Sequence, residues 1–418
     1  MIDGVRWFVG IDWASKVHYV CLLDAQGRRV AECEVKHGGA ELGELCAWLI
    51  RKTGAAPGEI VVAIETPRGP VVDALLEHGF RVCSLNPKQL DRFRDRFTVA
   101  GAKDDSRDAE VLGQSLRSDP RAFRELRIED PLVVELRGAL RLHDELVQER
   151  NRLTNRMNDQ LWRYYPHLVE LADDLAAAWF LDLWLLVPTP ARAAQVSQKR
   201  LARLLEKHRI RRIEAAEALR VLRRPGLPVA PGVTEVATAH IRSIVARLRL
   251  VNEQLKEADR RLDEITQAIE AKAEAEPGQI CEQRDVAILR SMPGLGRTTI
   301  AALLGEASEP LRQRSYSVLR TLTGAAPVTR RSGKTHYVVR RLACHRRLRN
   351  ALYHWARAAI QYDPTSQQRY RELRRRGRSH GRALRTVGDR LLHVLCTCLE
   401  RQTLYEPNHK ATHAVLQA

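Results

Sequence analysis

Near the start of the chain, apolar residues come in short β-branched runs separated by polar turns. Trp7 to Asp12 is one run and Val17 to Leu23 a second, and Arg29 to Val35 alternates into a third. The turns between them fall at Ala14-Ser15-Lys16 and Asp24-Ala25-Gln26-Gly27. This pattern predicts three antiparallel strands with Asp12 at the tip of the first. Ala40 to Lys52 has the spacing of an amphipathic helix. Glu59 to Ile64 then runs without a polar interruption into Glu65. A strand that apolar is buried on both faces, as a central parallel strand is. Thr66-Pro67-Arg68-Gly69 predicts a helix start with Pro67 near the first turn. Phe80 to Leu85 reads as another short strand, and Asn86-Pro87 opens another helix.

Further on, the period changes. Leu136, Leu140, Leu146, Leu153, Met157 and Leu161 form a stripe on a helix predicted over Leu132 to Tyr165. From Ile241 to Ile269, apolar residues occupy a and d positions of successive heptads without a slip. The two helices are expected to pair as an antiparallel coiled coil; a plain core-packed pair is the other reading. Between them, about 175–232, Trp179, Trp184 and Leu185 suggest a small buried nucleus. Ser197 to His208 reads as a basic helix, either a solvated face or a contact to nucleic acid through Lys199, Arg200, Arg203, Lys207 and Arg209. In the last third, Met292-Pro293-Gly294-Leu295-Gly296-Arg297 leads into an apolar helix at Ile300 to Leu304. A Pro-Gly-x-Gly turn of this kind looks like a helix-hairpin-helix, whose glycines bring backbone amides close to a phosphate. A simple interhelical turn is the alternative.

The expected organisation is therefore an α/β domain at 1–128, a helical coiled coil with an insert at 129–283, a mostly α C-terminal domain at 284–405 and a tail at 406–418. No apolar run is long enough to span a bilayer, so a cytoplasmic protein without a membrane partner is expected. Eight cysteines lie scattered with no Cys-x-x-Cys pair, which predicts reduced thiols and no structural zinc.

Charge changes this picture. The net charge is +18, and arginines cluster at Arg312 to Arg349 and Arg374 to Arg376. Guanidinium forks pair with phosphates, so a nucleic-acid partner is the default inference. A GC-biased genome also inflates arginine, but it does not distribute charge so unevenly.

The acids give the chemistry. Asp105 and Asp108 lie three apart in Gly101 to Leu112, one turn apart on one helix face. Taken alone they read as a solvated acidic helix start, favoured by the macrodipole. Asp12 alone reads as a turn-capping aspartate. An acid after the first strand, Glu65 after the central strand and a later Asp-x-x-Asp pair are together what a two-metal phosphoryl-transfer site needs. Such a site holds two Mg²⁺ roughly 4 Å apart through hard oxygen ligands. Ser332 sits between Arg331 and Gly333 in an expected loop. It is either ordinary turn chemistry or a nucleophile with basic neighbours to hold a phosphate.

These residues also carry a resemblance. Gly10-Ile11-Asp12, then Ile64-Glu65-Thr66 with Gly69, then Lys103-x-Asp105-x-x-Asp108-Ala109, resemble the ribonuclease-H-like, RuvC-like DEDD domain of the insertion-sequence one-ten family of transposases. The second set is Pro293-Gly294-x-Gly296, then Gly324-x-x-Pro327 ahead of Ser332-Gly333, and Leu348-Arg349-Asn350-Ala351-Leu352. It is similar to that family's C-terminal domain. His345-Arg346-Arg347 stands where the family has Gly-Asn before the Leu-Arg pair. The resemblance implies Asp12, Glu65, Asp105 and Asp108 as metal-binding catalytic acids, with Asp104 as a neighbour. It implies Ser332 as the nucleophile and a structured bridge RNA that pairs with donor and target DNA. Expected nucleic-acid contacts are Arg68 and Lys103 beside the acids and Gly294, Gly296 and Arg297 at the turn. Further contacts are expected at Arg330, Arg331 and Lys334 around the serine, and at Arg340, Arg341, Arg346 and Arg349 beyond it. The acids and Ser332 lie far apart along the chain, so a homo-oligomer, dimer or tetramer, is expected to complete the site. The alternative is a RuvC-like nuclease that cuts with water and forms no covalent intermediate; a third reading is a non-enzymatic basic scaffold.

Overall fold

The computed structural model describes residues 4–85, 87–97, 104–275, 282–333 and 335–406. It divides into two compact units, Met1–Asp130 and Pro131–Ala418.

In the first unit, β1 (Trp7–Asp12), β2 (Val17–Leu23) and β3 (Arg29–Lys36) form the antiparallel meander that the alternation predicts. Next come α1 (Gly39–Thr53), β4 (Ile60–Ile64), α2 (Pro70–Glu77), β5 (Arg81–Ser84), α3 (Pro87–Phe97), α4 (Asp105–Ser118) and a short β6 (Arg124–Glu125). The sheet order is β3-β2-β1-β4-β5-β6. β4 lies between β1 and β5, parallel to both, and every residue in it is buried. Purely apolar sequence is thus spent on a strand covered on both faces. One difference concerns the α2 start. The helix begins at Pro70, with Gly69 as its cap at φ 115, so Pro70 rather than Pro67 is the first-turn proline.

Alternation along the strands decides what faces what. Val9, Ile11, Val62 and Ile64 pack with Leu42, Leu45 and Leu49 of α1 and Val71, Val72 and Leu75 of α2. Phe8, Val61 and Ala63 pack on the other face with Leu90 of α3 and Ala109, Leu112 and Leu116 of α4. Gly10 lies on this second face. A Cβ there would stand 1.8 Å from the Ala109 carbonyl oxygen and 2.7 Å from Gly113 N. Only glycine lets α4 lie directly on β1.

The second unit begins with α5 (Pro131–Tyr164) and returns through α10 (Val233–Ala275). Arg261 bonds Glu135, Arg247 bonds Glu149 at 2.9 Å and Arg150 bonds Asn252 at 3.0 Å, so the two helices run antiparallel side by side. Between them lie α6 (Ala178–Leu186), α7 (Pro190–Gln195), α8 (Gln198–Lys207) and α9 (Ala215–Leu222). Trp179 and Trp184 are buried in the insert's core as expected, but Leu185 is 41% exposed. α6 has one outward face, and Leu185 falls on it.

α11 (Glu282–Ser291), α12 (Arg297–Glu306), α13 (Ser308–Arg312), α14 (Tyr316–Leu322), α15 (Arg346–Tyr362), α16 (Pro364–Arg375) and α17 (His380–Arg401) follow, with a hairpin of β7 (Val328–Ser332) and β8 (Thr335–Val339). Leu136 and Leu140 of α5 and Leu262, Ile265 and Ile269 of α10 belong to the same core as these later helices. The opposite ends of the long pair, Leu153, Met157, Leu161, Ile241 and Ile244, belong to the insert's core. Among the described residues no helix is long and apolar enough to cross a membrane. Cys21, Cys33, Cys46, Cys83, Cys344, Cys396 and Cys398 are free thiols, and Cys281 lies outside the described residues. The tail beyond Glu406 lies outside them too.

Candidate active site

Asp12 is the last residue of β1, and Glu65 follows directly on β4. Ile11 is paired with Ile64 in the parallel register, so the two acids leave neighbouring strand ends. Asp12 continues the face of Phe8 and Gly10, and Glu65 continues that of Val61 and Ala63; this is the α4 face. α4 carries Asp105 and Asp108 in its first turn. Gly10 therefore does more than relieve a clash: it sets the depth at which the α4 acids meet Asp12.

The electrostatics reflect that convergence. Burial pushes the Asp12 carboxyl up, and the charges of Asp108, Asp105 and Glu65 push it further, to about 6, while Arg94 works against them. Arg94 comes from α3 and forks onto Asp108, Nε to one oxygen and Nη2 to the other, both at 2.7 Å. Its Nη1 also reaches Asp91 at 2.8 Å. The Arg94 guanidinium is held above its ordinary range mainly by Asp108, against the opposing effect of burial, with Asp91 and Glu65 adding to it. A positive charge thus already stands among the acids.

Asp104 is the α4 N-cap, accepting from Ser106 N at 3.3 Å, and its exposed carboxylate is spent on the helix end. His18 is a residue that pattern reading missed. It is fully buried; its Nδ1 accepts from Ala14 N at 3.3 Å, and its Nε2 lies 2.9 Å from His37 Nδ1. Burial first, and His37 second, hold His18 below the usual imidazole value, favouring the neutral ring this geometry requires. It pins the turn that follows Asp12. Its only sequence signal was a polar residue in an otherwise apolar strand.

The four carboxylates form an all-oxygen donor set, three of whose charges raise the proton affinity of Asp12, and a hard divalent cation fits that set. They are not gathered about one point: among the described residues no three Asp, Glu, His or Cys side chains make a ready cation site.

The serine and basic residues lie in the second unit. Ser332 is not in a loop, as expected, but ends β7, paired with Thr335 across the hairpin. The pairing follows from Gly333, whose φ of 53 supplies the left-handed turn residue. Ser332, Arg330 and Arg331 are exposed. Lys334 and Lys103 lie outside the described residues. Gly294 has φ 72, and a Cβ there would meet Ala359 N of α15 at 2.6 Å. Its glycine is required by the packing of α15 against it. Gly296 caps α12 with open space around it. Arg297 is held by Asp263 at 2.7 Å, Arg68 lies 3.8 Å from Glu129, and Arg341 donates to the Ala326 carbonyl at 3.4 Å. Arg340 and Arg346 are exposed and Arg349 is half-exposed.

A mixed sheet in this order with acids at the ends of β1, β4 and the start of α4 defines a ribonuclease-H-like domain of the kind found in transposases. Residues 9–166 match a family model described as "Transposase", and residues 286–371 match one described as "Transposase IS116/IS110/IS902 family". The chain is 31% identical to the "Mini-circle putative transposase for IS117" of Streptomyces coelicolor, covering 100% of this chain and 99% of that protein. It is 55% identical to the "Putative transposase y4uE" of Sinorhizobium fredii over 53% of this chain and 62% of that one. It is 25% identical to the "Insertion element IS110 uncharacterized 43.6 kDa protein" of Streptomyces coelicolor over 97% of this chain and 96% of that protein. The chain belongs to the IS110 family of transposases.

Proposed function

We propose that this chain is a DNA recombinase of an insertion sequence that cuts and rejoins strands under the guidance of a structured bridge RNA. The observation that carries the metal half is Asp12, raised to about 6 first by its burial and then by the facing charges of Asp108, Asp105 and Glu65. Asp12, Glu65, Asp105 and Asp108 would hold Mg²⁺, two ions in our reading. Bound cations supply Lewis-acid stabilisation of charge developing on the phosphoryl group. Ser332 Oγ attacks the scissile phosphorus and forms a new P–O bond. The bond to the leaving strand breaks, that strand end takes up a proton, and the serine proton passes to solvent. Attack by a free strand hydroxyl on the phosphoserine reverses the process and reseals the DNA. Exposure of Ser332 at a hairpin tip beside Arg330 and Arg331 supports access by a phosphodiester. The protein would act as a homo-oligomer, a dimer or tetramer, with the long α5–α10 pair as an assembly element.

The reading in which water replaces Ser332 has its own support: among the described residues nothing hydrogen-bonds Ser332 as a base would. Denaturing electrophoresis of cleaved DNA decides between them. Ser332→Ala is expected to abolish the covalent protein–DNA adduct, and adduct at wild-type level would overturn the serine role. RNA co-purifying from the native host, sequenced beside the DNA flanking the gene, tests the guide. Absence of any transcript from that flank would sink it.

A further inference from the structure

α15 has two faces of opposite character. Leu348, Ala351, Leu352, Trp355, Ala356 and Ala359 are buried in the core shared with α12 and α17. Asn350, Tyr353, His354, Arg357 and Gln361 are exposed, and Arg346 joins them at the helix start. At about 100° per residue these six fall within an arc of about 100°, so they form one stripe roughly 22 Å long. The helix has no Asp or Glu anywhere in its 17 residues. Among the described residues no side-chain hydrogen bond or ion pair holds Arg346, Asn350, Arg357 or Gln361. Exposed arginines elsewhere in this unit are matched by acids: Arg247 by Glu149 at 2.9 Å, Arg260 by Glu257 at 2.6 Å and Arg297 by Asp263 at 2.7 Å. The stripe is also held firmly from behind. His345 caps the helix by accepting from Leu348 N at 3.5 Å, Trp355 donates to the Pro293 carbonyl at 3.0 Å, and Arg347 is held by Asp144 at 2.9 Å.

We propose that this outward face of α15 docks on duplex DNA. Family membership supplies DNA as the class of substrate; the serine and metal chemistry proposed above plays no part in the site. A face with unmatched cations and no carboxylate over about four turns complements a phosphate backbone. A docking face for protein would carry an apolar centre, and Tyr353 is the single large apolar side chain in this stripe. Asn, Gln and Arg instead carry the donors and acceptors that match base edges. Width selects the duplex. A helix of roughly 10–12 Å fits the B-form major groove of about 12 Å, whereas the A-form groove of RNA is too narrow to admit it. Arg346 and Arg349 were expected contacts from their motif. Arg357 and Gln361 lie beyond that motif, and the burial of Leu352 and Trp355 fixes them on the outward face.

The test uses the full chain without divalent cation. Fluorescence anisotropy is read against a labelled DNA duplex of mixed sequence and the RNA duplex of the same sequence, across a salt series. Arg346→Gln/Arg357→Gln is expected to bind DNA about ten-fold more weakly, with its salt slope lower by about 2, and to lose less on RNA. Arg260→Gln, which removes an exposed arginine already matched by Glu257, is the control and should change neither. Asn350→Glu sets a carboxylate in the middle of the stripe and should weaken DNA binding by about ten-fold or more. Full DNA affinity in either stripe variant overturns the site, and so does a loss on RNA as large as that on DNA. All three positions are exposed, so melting temperatures should stay level. Arg357→Gln alone, with an expected slope loss of about 1, keeps the test decisive if the double variant does not fold. Adduct formation is scored separately with cation present. Stripe variants that lose DNA binding beside a wild type that forms no adduct would sink the serine chemistry and leave this face standing.

Discussion

Arg94 reaches from α3 to grip both oxygens of Asp108 at 2.7 Å, placing a cation among four acids that arrive from β1, β4 and α4. The pair is mostly shielded, with side-chain exposures of 24% and 8%. Removing one partner of such a pair strands the other charge. Arg94→Gln should therefore cost roughly 2–3 kcal/mol, somewhat less than a fully buried pair. Because the loss is one of charge compensation, Mn²⁺ or Mg²⁺ should restore more stability to the variant than to the wild type. Urea melts with and without the cation would show this, and an equal cation effect on both proteins would contradict it.

The raised Asp12 carboxyl makes stability depend on pH. Its folded value of about 6 lies above the ordinary 3.8, so between these values the folded state holds a proton that the unfolded state has lost. The contribution is greatest below the ordinary value, declines as pH rises through that window and is flat above about 6. Asp12→Asn should flatten this part of the profile. Cation binding, which competes with the proton, should strengthen over the same window. Thermal melts from acid to neutral pH, with and without Mn²⁺, test both; a profile unchanged by Asp12→Asn would count against them.

Gly10→Ala should be among the most damaging single substitutions in the first unit. The new methyl group would overlap the Ala109 carbonyl, 1.8 Å away, so α4 must move off β1. A cost of at least about 3 kcal/mol is expected, above the usual range for overpacking because the obstacle is backbone. Soluble yield and calorimetry report the loss. Any variant that folds should show Asp12 titrating nearer its ordinary value, since the α4 acids have withdrawn.

Ser332→Ala should behave in the opposite way. Ser332 is exposed, so the change should alter stability by no more than about 0.5 kcal/mol. Melting temperature and nucleic-acid affinity should stay level while the covalent adduct vanishes. A large fall in melting temperature would mean that the serine holds the hairpin together and that lost adduct reflects lost structure.

His18→Phe keeps a flat aromatic ring, slightly larger, but removes the acceptor for Ala14 N and the bond to His37. With a half-buried amide and the His37 ring nitrogen left unpaired, a cost of about 1–2 kcal/mol is expected. Cation affinity at the Asp12 end should also fall, because the turn after Asp12 is no longer pinned. Unaltered cation affinity in a folded variant would confine His18 to packing.

Much of the first unit was legible in the chain. Period-two runs gave β1 to β3, the unbroken apolar run gave the buried β4, and the three-residue spacing put Asp105 and Asp108 on one helical face. Those features are local, and the energetics that select them act between residues a few positions apart. The apolar stripes of α5 and α10 were readable for the same reason. What the sequence could not decide were relations between remote side chains. Asp108 takes Arg94 as its partner because α3 packs beside α4, Gly294 is a glycine because α15 crosses above it, and Ser332 ends a strand because Gly333 turns the chain back. Periodicity fixes which face a residue occupies, whereas the neighbour it finds there depends on packing between elements that no local pattern encodes.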